Sequence, residues 1–295
     1  MPGELSGDFA GTFPFEARYL TVGDVRLHYV DEGPRDAPPI LMLHGNPTWS
    51  YMYRRPIAVL SERGHRCIAF DHMGFGRSDK PAELRRYRLV EHVANAVGLI
   101  DQLDLHDVTL VLHDWGGPIG LGAAMERPGR IRGAVVMNTW AWELPSFLPP
   151  FLRQFRTEGL GELLALGGNL FVESIPGGMA RRDTDPTMMD AYRAPFPDYW
   201  SRIGTLAFPR DIPLTERDPS AGAISRIQAR LPQLGLPFHI IWGMRDRVFQ
   251  PVFLDQWLEL VPGAGVTELE DAAHYLVEDR PDAVADAVDE FVKRL

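Results

Sequence analysis

Asp114 is the residue whose type and position say most about the chemistry of this chain. It follows the apolar run 107–112 and precedes a helix-like stretch, 117–127, and the residues around it read His-Asp-Trp-Gly-Gly. A strand, a sharp turn and a helix in that order are the context of a nucleophile elbow, which aims one side chain into a cavity. A carboxylate attacks carbonyl carbon poorly, because the product is a mixed anhydride. It attacks saturated carbon well, because the product is an ester that water can cleave.

An acid and a histidine follow Asp114 at the ends of later predicted strands. Asp246 comes 132 residues after Asp114, and His274 comes 28 residues after Asp246. The order of nucleophile, acid and histidine is that of the α/β-hydrolases. A further polar segment, with Asn46, follows an early strand. Open α/β sheets bind ligands at the carboxyl ends of their strands, so we expect these side chains to lie together.

Short apolar runs alternate with longer amphipathic ones, which predicts a mostly parallel sheet with helices on both faces. Gly23-Asp24 joins the first two runs and indicates a hairpin. The predicted strands are 17–22, 25–30, 39–43, 66–70, 107–112, 133–137, 237–242 and 265–269, and the predicted helices are 51–63, 89–105, 117–127, 251–260 and 281–295. The fold class is therefore α/β, with the α/β-hydrolase arrangement of an eight-stranded sheet flanked by helices.

The alternation stops for about 95 residues after the sixth strand, in a stretch rich in Pro, Phe, Trp and Arg. A loop of that length without structure is improbable in a compact domain. We interpret residues 140–219 as a helical cap inserted above the carboxyl edge of the sheet. The main domain then consists of residues 1–139 and 220–295.

The composition is typical of a globular enzyme and excludes several other classes. A formal net charge of -10 argues against nucleic acids or anionic membranes as partners. The single Cys67 excludes an internal disulfide. No stretch approaches the roughly 18 uninterrupted apolar residues of a membrane helix, and the N-terminus lacks the pattern of a signal peptide. We therefore expect a cytoplasmic protein.

Five segments in the same order resemble the haloalkane dehalogenases, a family of the α/β-hydrolase superfamily. The resemblance runs from about Phe15 to the C-terminus, and the segments are HGNPTWSY at 44–51, DHMGFGRSDKP at 71–81, HDWGG at 113–117, YRAPFP at 192–197 and DAAHY at 271–275. It implies hydrolysis of the carbon–halogen bond of small or medium apolar haloalkanes to alcohol, halide and proton.

The resemblance also implies a role for each candidate residue. Asp114 forms an alkyl ester, His274 activates the water that hydrolyses it, and Asp246 orients and stabilises the imidazole. The side chains of Asn46 and Trp115 donate N–H groups to the halide, and their backbone N–H groups hold the oxyanion of ester hydrolysis. Each role suits its residue type without a metal or an organic cofactor, and the partners are a halogenated substrate and water.

The position of the acid distinguishes subfamilies of the dehalogenases. Some members carry a Glu just after the sixth strand, where this chain has Asn138. An amide cannot stabilise an imidazolium by charge, and Glu143 comes five residues too late, so Asp246 is the better candidate. The combination of an acid after the seventh strand with an Asn–Trp halide pair resembles a third subfamily. Its members tend to form large oligomers, so the resemblance implies a homo-oligomer.

Structural interpretations compete with these roles. Asp114 and Asp246 are also favoured residues for capping helices, and Asn46 before Pro47 suits a turn. His113 is expected to be structural, because alternation along its strand points it away from the cavity. The cap residues that are candidates for the substrate tunnel, and that also suit core packing, are Trp140, Trp142, Phe196 and Pro197.

Other functions remain open at this stage. An epoxide hydrolase uses the same Asp nucleophile and needs acids to protonate the alkoxide, a role open to the cap residues Tyr192 and Tyr199. A haloacid dehalogenase is disfavoured, since Met73 stands where that group tends to have Arg. A serine esterase is excluded because the sequence contains no Gly-x-Ser-x-Gly. A ligand sensor or scaffold without catalysis is the second alternative after the epoxide hydrolase, although such proteins generally lose the nucleophile or the histidine.

Overall fold

The structure, a computed structural model, describes residues 7–144, 150–181 and 184–295. Its centre is one eight-stranded sheet with the strand order β1-β2-β4-β3-β5-β6-β7-β8. β2 runs antiparallel to β1 and β4, and the remaining neighbours are parallel. The strands are β1 Arg18–Val22, β2 Val25–Glu32, β3 Pro39–Leu43, β4 Arg66–Phe70, β5 Val108–Asp114, β6 Ile131–Thr139, β7 Phe238–Gly243 and β8 Gly265–Leu269. The predicted sheet and its opening hairpin are confirmed.

The central strands form because their residues are apolar on both faces. β3 and β5 are buried at every position, as expected of parallel strands covered by helices on both sides. The chain moves from β3 through its helix to β4, and then back across β3 to β5. Right-handed crossovers in opposite directions place the two connecting helices on opposite faces of the sheet.

Helices surround the sheet and fill the interval between β6 and β7. Helices α1 and α12 pack together, as do α2 and α3. The helices are α1 Arg54–Glu62, α2 Leu89–Gln102, α3 Gly116–Glu126, α4 Pro150–Arg156, α5 Leu160–Glu162, α6 Leu170–Glu173, α7 Pro186–Arg193, α8 Ile203–Asp211, α9 Ala221–Arg230, α10 Pro251–Leu260, α11 Leu276–Asp279 and α12 Pro281–Val292. Within the described ranges, none has the length and apolar character of a membrane span.

The insertion after β6 has a small core of its own that rests on the main domain. Phe155, Phe171 and Leu206 are buried together with Tyr87 and Leu27, which belong to the main domain. Buried hydrogen bonds also join the insertion to the main domain. In one of them, the Trp49 indole N–H donates to the carbonyl of Ala191 at 3.1 Å. The insertion is thus packed onto the edge of the sheet where the parallel strands end.

Candidate active site

Asp114 is the last residue of β5 and has the left-handed backbone conformation of a nucleophile elbow, with φ of 51°. Two positions beside this turn, 45 and 116, have no room for a side chain. A Cβ on Gly45 would lie 2.1 Å from Asp114 Oδ1, and a Cβ on Gly116 would lie 2.1 Å from the carbonyl oxygen of Leu43. The glycines at these two positions therefore allow the carboxylate to lie against the end of β3.

Two backbone N–H groups hold the Asp114 carboxylate. The N–H of Asn46 donates to Asp114 Oδ1 at 2.8 Å, and the N–H of Trp115 also bonds the carboxylate. One N–H comes from the loop after β3 and the other from the start of the elbow. Converging backbone donors of this kind are the usual construction of an oxyanion hole.

His274 and Asp246 form the second part of the site. His274 Nδ1 lies 2.9 Å from Asp246 Oδ2, and both residues are buried. The other oxygen of Asp246 accepts the N–H of Val248 at 2.7 Å. An ionised Asp246 can only accept, so Nδ1 carries the proton and Nε2 keeps a lone pair. In the neutral imidazole of His274, the tautomer is thus fixed by a buried carboxylate.

Asn138 supports this pair, which the sequence reasoning did not anticipate. Its Nδ2 donates to Asp246 Oδ2 at 2.9 Å and to the carbonyl of Gly243 at 3.2 Å, while its Oδ1 accepts the N–H of Gly243 at 2.7 Å. The amide of Asn138 therefore holds Asp246 from β6, the strand next to β7. His113 braces the base, since its Nε2 lies 2.8 Å from the carbonyl oxygen of His274. In the sequence, Asn138 is recognisable as a polar residue near the end of an otherwise apolar strand.

The charges of the site are coupled. Burial raises the pKa of Asp114 from 3.8 to about 6, against the charge of His274 and the two backbone hydrogen bonds. Burial opposes charge on His274, but the charge and hydrogen bond of Asp246 and the charge of Asp114 outweigh it and raise its pKa above 6.5. Burial also works against ionised Asp246, yet His274, Val248 and Asn138 hold its pKa below the ordinary value.

Aromatic rings lie around Asp114 and His274. Trp115 meets Trp140 edge to face, with ring centroids 5.0 Å apart, and Phe208 in the same way at 4.7 Å. Trp140 stacks on Phe249, which in turn stacks on His274. Such rings exclude water and lower the local dielectric, so charges and dipoles inside act more strongly.

Comparisons with known proteins agree with this geometry. A family model described as the alpha/beta hydrolase fold matches residues 38–281. A curated haloalkane dehalogenase 2 of Mycobacterium bovis is 36% identical over 278 residues, which cover 94% of each chain. A crystal structure of a loop variant of a Bradyrhizobium elkanii haloalkane dehalogenase matches with a TM-score of 0.87 and 30% identity, over 95% of this chain and 96% of that one.

This chain belongs to the haloalkane dehalogenases. The family and the α/β-hydrolase fold predicted from the sequence are confirmed, and with them the enzyme class, a hydrolase that acts on carbon–halide bonds. A relative with a different name is also similar. A cis-3-alkyl-4-alkyloxetan-2-one decarboxylase of Shewanella oneidensis is 40% identical over 286 residues, covering 95% of this chain and 89% of the relative.

The tyrosines that an epoxide hydrolase would need are not arranged as acids in this dehalogenase. The Tyr192 hydroxyl donates to Glu278 Oε1 at 2.6 Å, and Glu278 is paired with the buried Arg54. Tyr199 is 42% exposed and packs against Trp200. Tyr192 therefore connects the insertion to the main domain.

The remaining tunnel candidates differ in their surroundings. Trp142 packs against Trp257 and Phe253, at centroid distances of 5.3 and 5.8 Å. Phe196 is buried against Phe75, whereas Pro197 is exposed. Of the four candidates, Trp140 is the one in ring contact with Trp115, so the structure brings it to the site and leaves the tunnel roles of the others as predictions.

Proposed function

We propose that the carbon–halogen bond is cleaved by in-line attack of Asp114 on the carbon that bears the halogen. The attack forms a C–O bond to the carboxylate, breaks the C–X bond and expels the halide with its electron pair. The observation that carries this proposal is the elbow itself: a buried carboxylate at φ 51°, held by two backbone N–H groups. Restraint by these bonds keeps the nucleophile in one orientation, which lowers the entropic cost of attack.

Hydrolysis of the alkyl ester falls to His274. Esterification removes the negative charge of Asp114, which is one of the influences that raise the pKa of His274. The pKa of His274 therefore falls when the ester forms. A larger fraction of the imidazole is then neutral and able to accept a proton from water. The hydroxide attacks the carbonyl carbon of Asp114, and the N–H groups of Asn46 and Trp115 hold the oxyanion. Its collapse breaks the ester C–O bond and restores the Asp114 carboxylate. Of the two protons of the water, one ends on the leaving oxygen to give the alcohol, and the other is released to solvent. Asp246 stabilises the imidazolium that forms.

The halide receives N–H donors from the indole of Trp115 and the side chain of Asn46. One N–H of the Asn46 amide donates to the carbonyl of Thr205 at 3.1 Å, so the amide is fixed in place with its second N–H left for the anion. Thr205 lies in α8, and this bond therefore couples the halide site to the insertion. Hydrogen bonds to a charged acceptor contribute about 1.5–3 kcal/mol each.

A second candidate function is the decarboxylation of a cis-3,4-dialkyl-oxetan-2-one, favoured by the 40% identity to the decarboxylase. C4 of that ring is a saturated carbon whose leaving group is the ring carboxylate instead of a halide. Attack by Asp114 at C4 opens the ring and frees the carboxylate on C3. The C3–carboxylate bond then breaks to release carbon dioxide, its electron pair forms the C3–C4 double bond, and Asp114 leaves C4 as a carboxylate. This route consumes no water.

Product analysis distinguishes the two functions. Wild type, Asp114→Ala and His274→Gln are incubated in weak buffer with 1-bromobutane, 1,2-dibromoethane, styrene oxide and a cis-3,4-dialkyl-oxetan-2-one. We expect bromide and protons in equal amounts from the wild type, neither from Asp114→Ala, and an alkylated Asp114 in the mass spectrum of His274→Gln. If the oxetan-2-one gives alkene and carbon dioxide and the bromoalkanes give no bromide, the function is decarboxylation and not dehalogenation. Diol from the epoxide alone would refute both.

The assembly of the chain is a separate proposal. The resemblance to the third subfamily supports a homo-oligomer, with a small apolar halogenated substrate and water as the other partners. Light scattering coupled to size-exclusion chromatography measures the mass directly, and the 33.1 kDa of one chain would contradict the proposal.

A further inference from the structure

The indole N–H of Trp140 is a buried donor without a partner among the described residues. The side chain is 2% exposed. Three other buried indoles, those of Trp49, Trp242 and Trp257, each donate to a backbone carbonyl at 2.9–3.2 Å. Buried Trp N–H groups usually find such a partner, and a group left without one calls for an explanation.

The place of Trp140 in the fold supplies that explanation. It follows β6 directly, so it stands at the same sheet edge as Asp114. Its ring is perpendicular to that of Trp115, at an angle of 82°, and stacks on Phe249 at 5.7 Å and 19°. Phe249 stacks on His274 at 5.7 Å and 26°. Trp140 thus lies between the ring next to the nucleophile and the ring on the base.

The predicted halide site offers an expelled anion two side-chain N–H groups. Asn46 has one amide N–H left after its bond to Thr205, and Trp115 has one indole N–H. In a site closed by aromatic rings, an anion that loses its hydration must be stabilised by fixed N–H groups. We propose that Trp140 donates its indole N–H to the leaving anion, as a third donor beside Trp115 and Asn46. This inference rests on the proposed displacement by Asp114.

The third donor determines which leaving groups the enzyme handles well. Chloride concentrates its charge more than iodide does and is the poorer leaving group, so its departure depends more on hydrogen bonds. Loss of the Trp140 N–H is therefore expected to slow alkyl chlorides more than alkyl iodides. A carboxylate released from an oxetan-2-one offers two oxygens and would use the same donor.

Trp140→Phe removes the N–H and keeps an aromatic ring against Trp115 and Phe249. The exposed Trp200, of which 64% is accessible, provides the matched control Trp200→Phe. We expect Trp140→Phe to weaken product inhibition by bromide about 10–100-fold, the range for a hydrogen bond to a charged group. The ratio of kcat/KM for 1-chlorobutane to that for 1-iodobutane should fall about 10-fold, and both quantities should stay unchanged in the control. Unchanged bromide inhibition in a folded Trp140→Phe would overturn the inference.

Wild-type protein gives a second readout that does not depend on how the variant folds. Bromide is titrated into ¹⁵N-labelled enzyme, and the indole cross-peaks of the seven tryptophans are followed by NMR. The peaks of Trp115 and Trp140, assigned from the peaks lost in their Phe variants, should shift with one shared dissociation constant. A shift at Trp115 alone would mean that the Trp140 N–H faces elsewhere, and the inference fails while dehalogenation stands. No shift at either indole, together with no bromide release, would refute the proposed function as well.

Discussion

Asp114→Asn is expected to make the protein more stable while abolishing turnover. Burial raises the pKa of Asp114 from 3.8 to about 6, which means that the folded protein resists the charge that attack requires. One pH unit corresponds to about 1.4 kcal/mol, so the ionised carboxylate costs about 3 kcal/mol of folding free energy. Asn has nearly the same shape and keeps a carbonyl oxygen for the N–H of Asn46, so the substitution removes the charge and, at most, the hydrogen bond to the N–H of Trp115.

The gain in stability should depend on pH with a definite sign. Below pH 3.8 the carboxyl is neutral in folded and unfolded chains, and its ionisation costs nothing. Between pH 3.8 and about 6 the unfolded chain loses the proton while the folded chain keeps it, so the wild type is progressively destabilised. Above pH 6 the penalty is constant. The variant should therefore exceed the wild type by about 1 kcal/mol at pH 4.5 and about 3 kcal/mol at pH 8.

Guanidinium unfolding followed by tryptophan fluorescence measures this difference at each pH. Equal slopes of the unfolding free energy against denaturant for the two proteins are required for the comparison. Asp255→Asn is the control, because Asp255 is exposed on the surface and its replacement makes the same chemical change away from the site. A gain that is the same at pH 4.5 and pH 8, or a variant less stable than wild type at pH 8, would refute the argument that burial of this charge is costly.

Three further substitutions test the site and its support. Asp246→Asn removes the carboxylate that raises the pKa of His274, so ester hydrolysis should slow about 10²–10⁴-fold. One equivalent of halide should still appear in a rapid-quench burst, and unchanged steady-state turnover would move the acid role to Glu143. Gly45→Ala places a Cβ 2.1 Å from Asp114 Oδ1, so kcat/KM should fall about 100-fold. Circular dichroism checks that the variant is folded, and wild-type kinetics would mean that the elbow adapts. Tyr192→Phe removes a hydrogen bond to Glu278 and should lower the free energy of chemical unfolding by about 1–3 kcal/mol while halide release is retained. Loss of activity at unchanged stability would place the hydroxyl in catalysis.

Much of the fold could be predicted because strand periodicity and strand ends are local signals. The apolar run predicts a strand at 107–112, whereas β5 continues to Asp114. The extra residues His113 and Asp114 are polar, so a pattern based on hydrophobicity stopped too early. The sequence predicts a helix at 51–63, whereas α1 begins at Arg54, after a 3-10 turn at Ser50–Tyr53.

The partners of buried polar groups were not predictable, because they come from residues far apart in sequence. Asn138 and Asp246 are 108 residues apart, and Tyr192 and Glu278 are 86 apart. The sequence showed that Asn138 cannot supply charge, and only the packing of β6 beside β7 shows that it holds the acid. The domain boundaries at 140 and 219, the homo-oligomer, the cytoplasmic location and the catalytic roles stay predictions.

The bond between Asn138 and Asp246 has a consequence for how such enzymes diverge. Asn138 Nδ2 lies 2.9 Å from the oxygen of Asp246 that binds His274, so a side chain of β6 already reaches the carboxylate that follows β7 and binds the imidazole. An ancestor can move its acid from one strand to the other by two substitutions, and their order matters. Adding the second carboxylate first leaves a pair that shares one proton and keeps a charge beside the histidine. Removing the first carboxylate first leaves the histidine without a counter-ion, so the second route passes through a slower enzyme and the first does not.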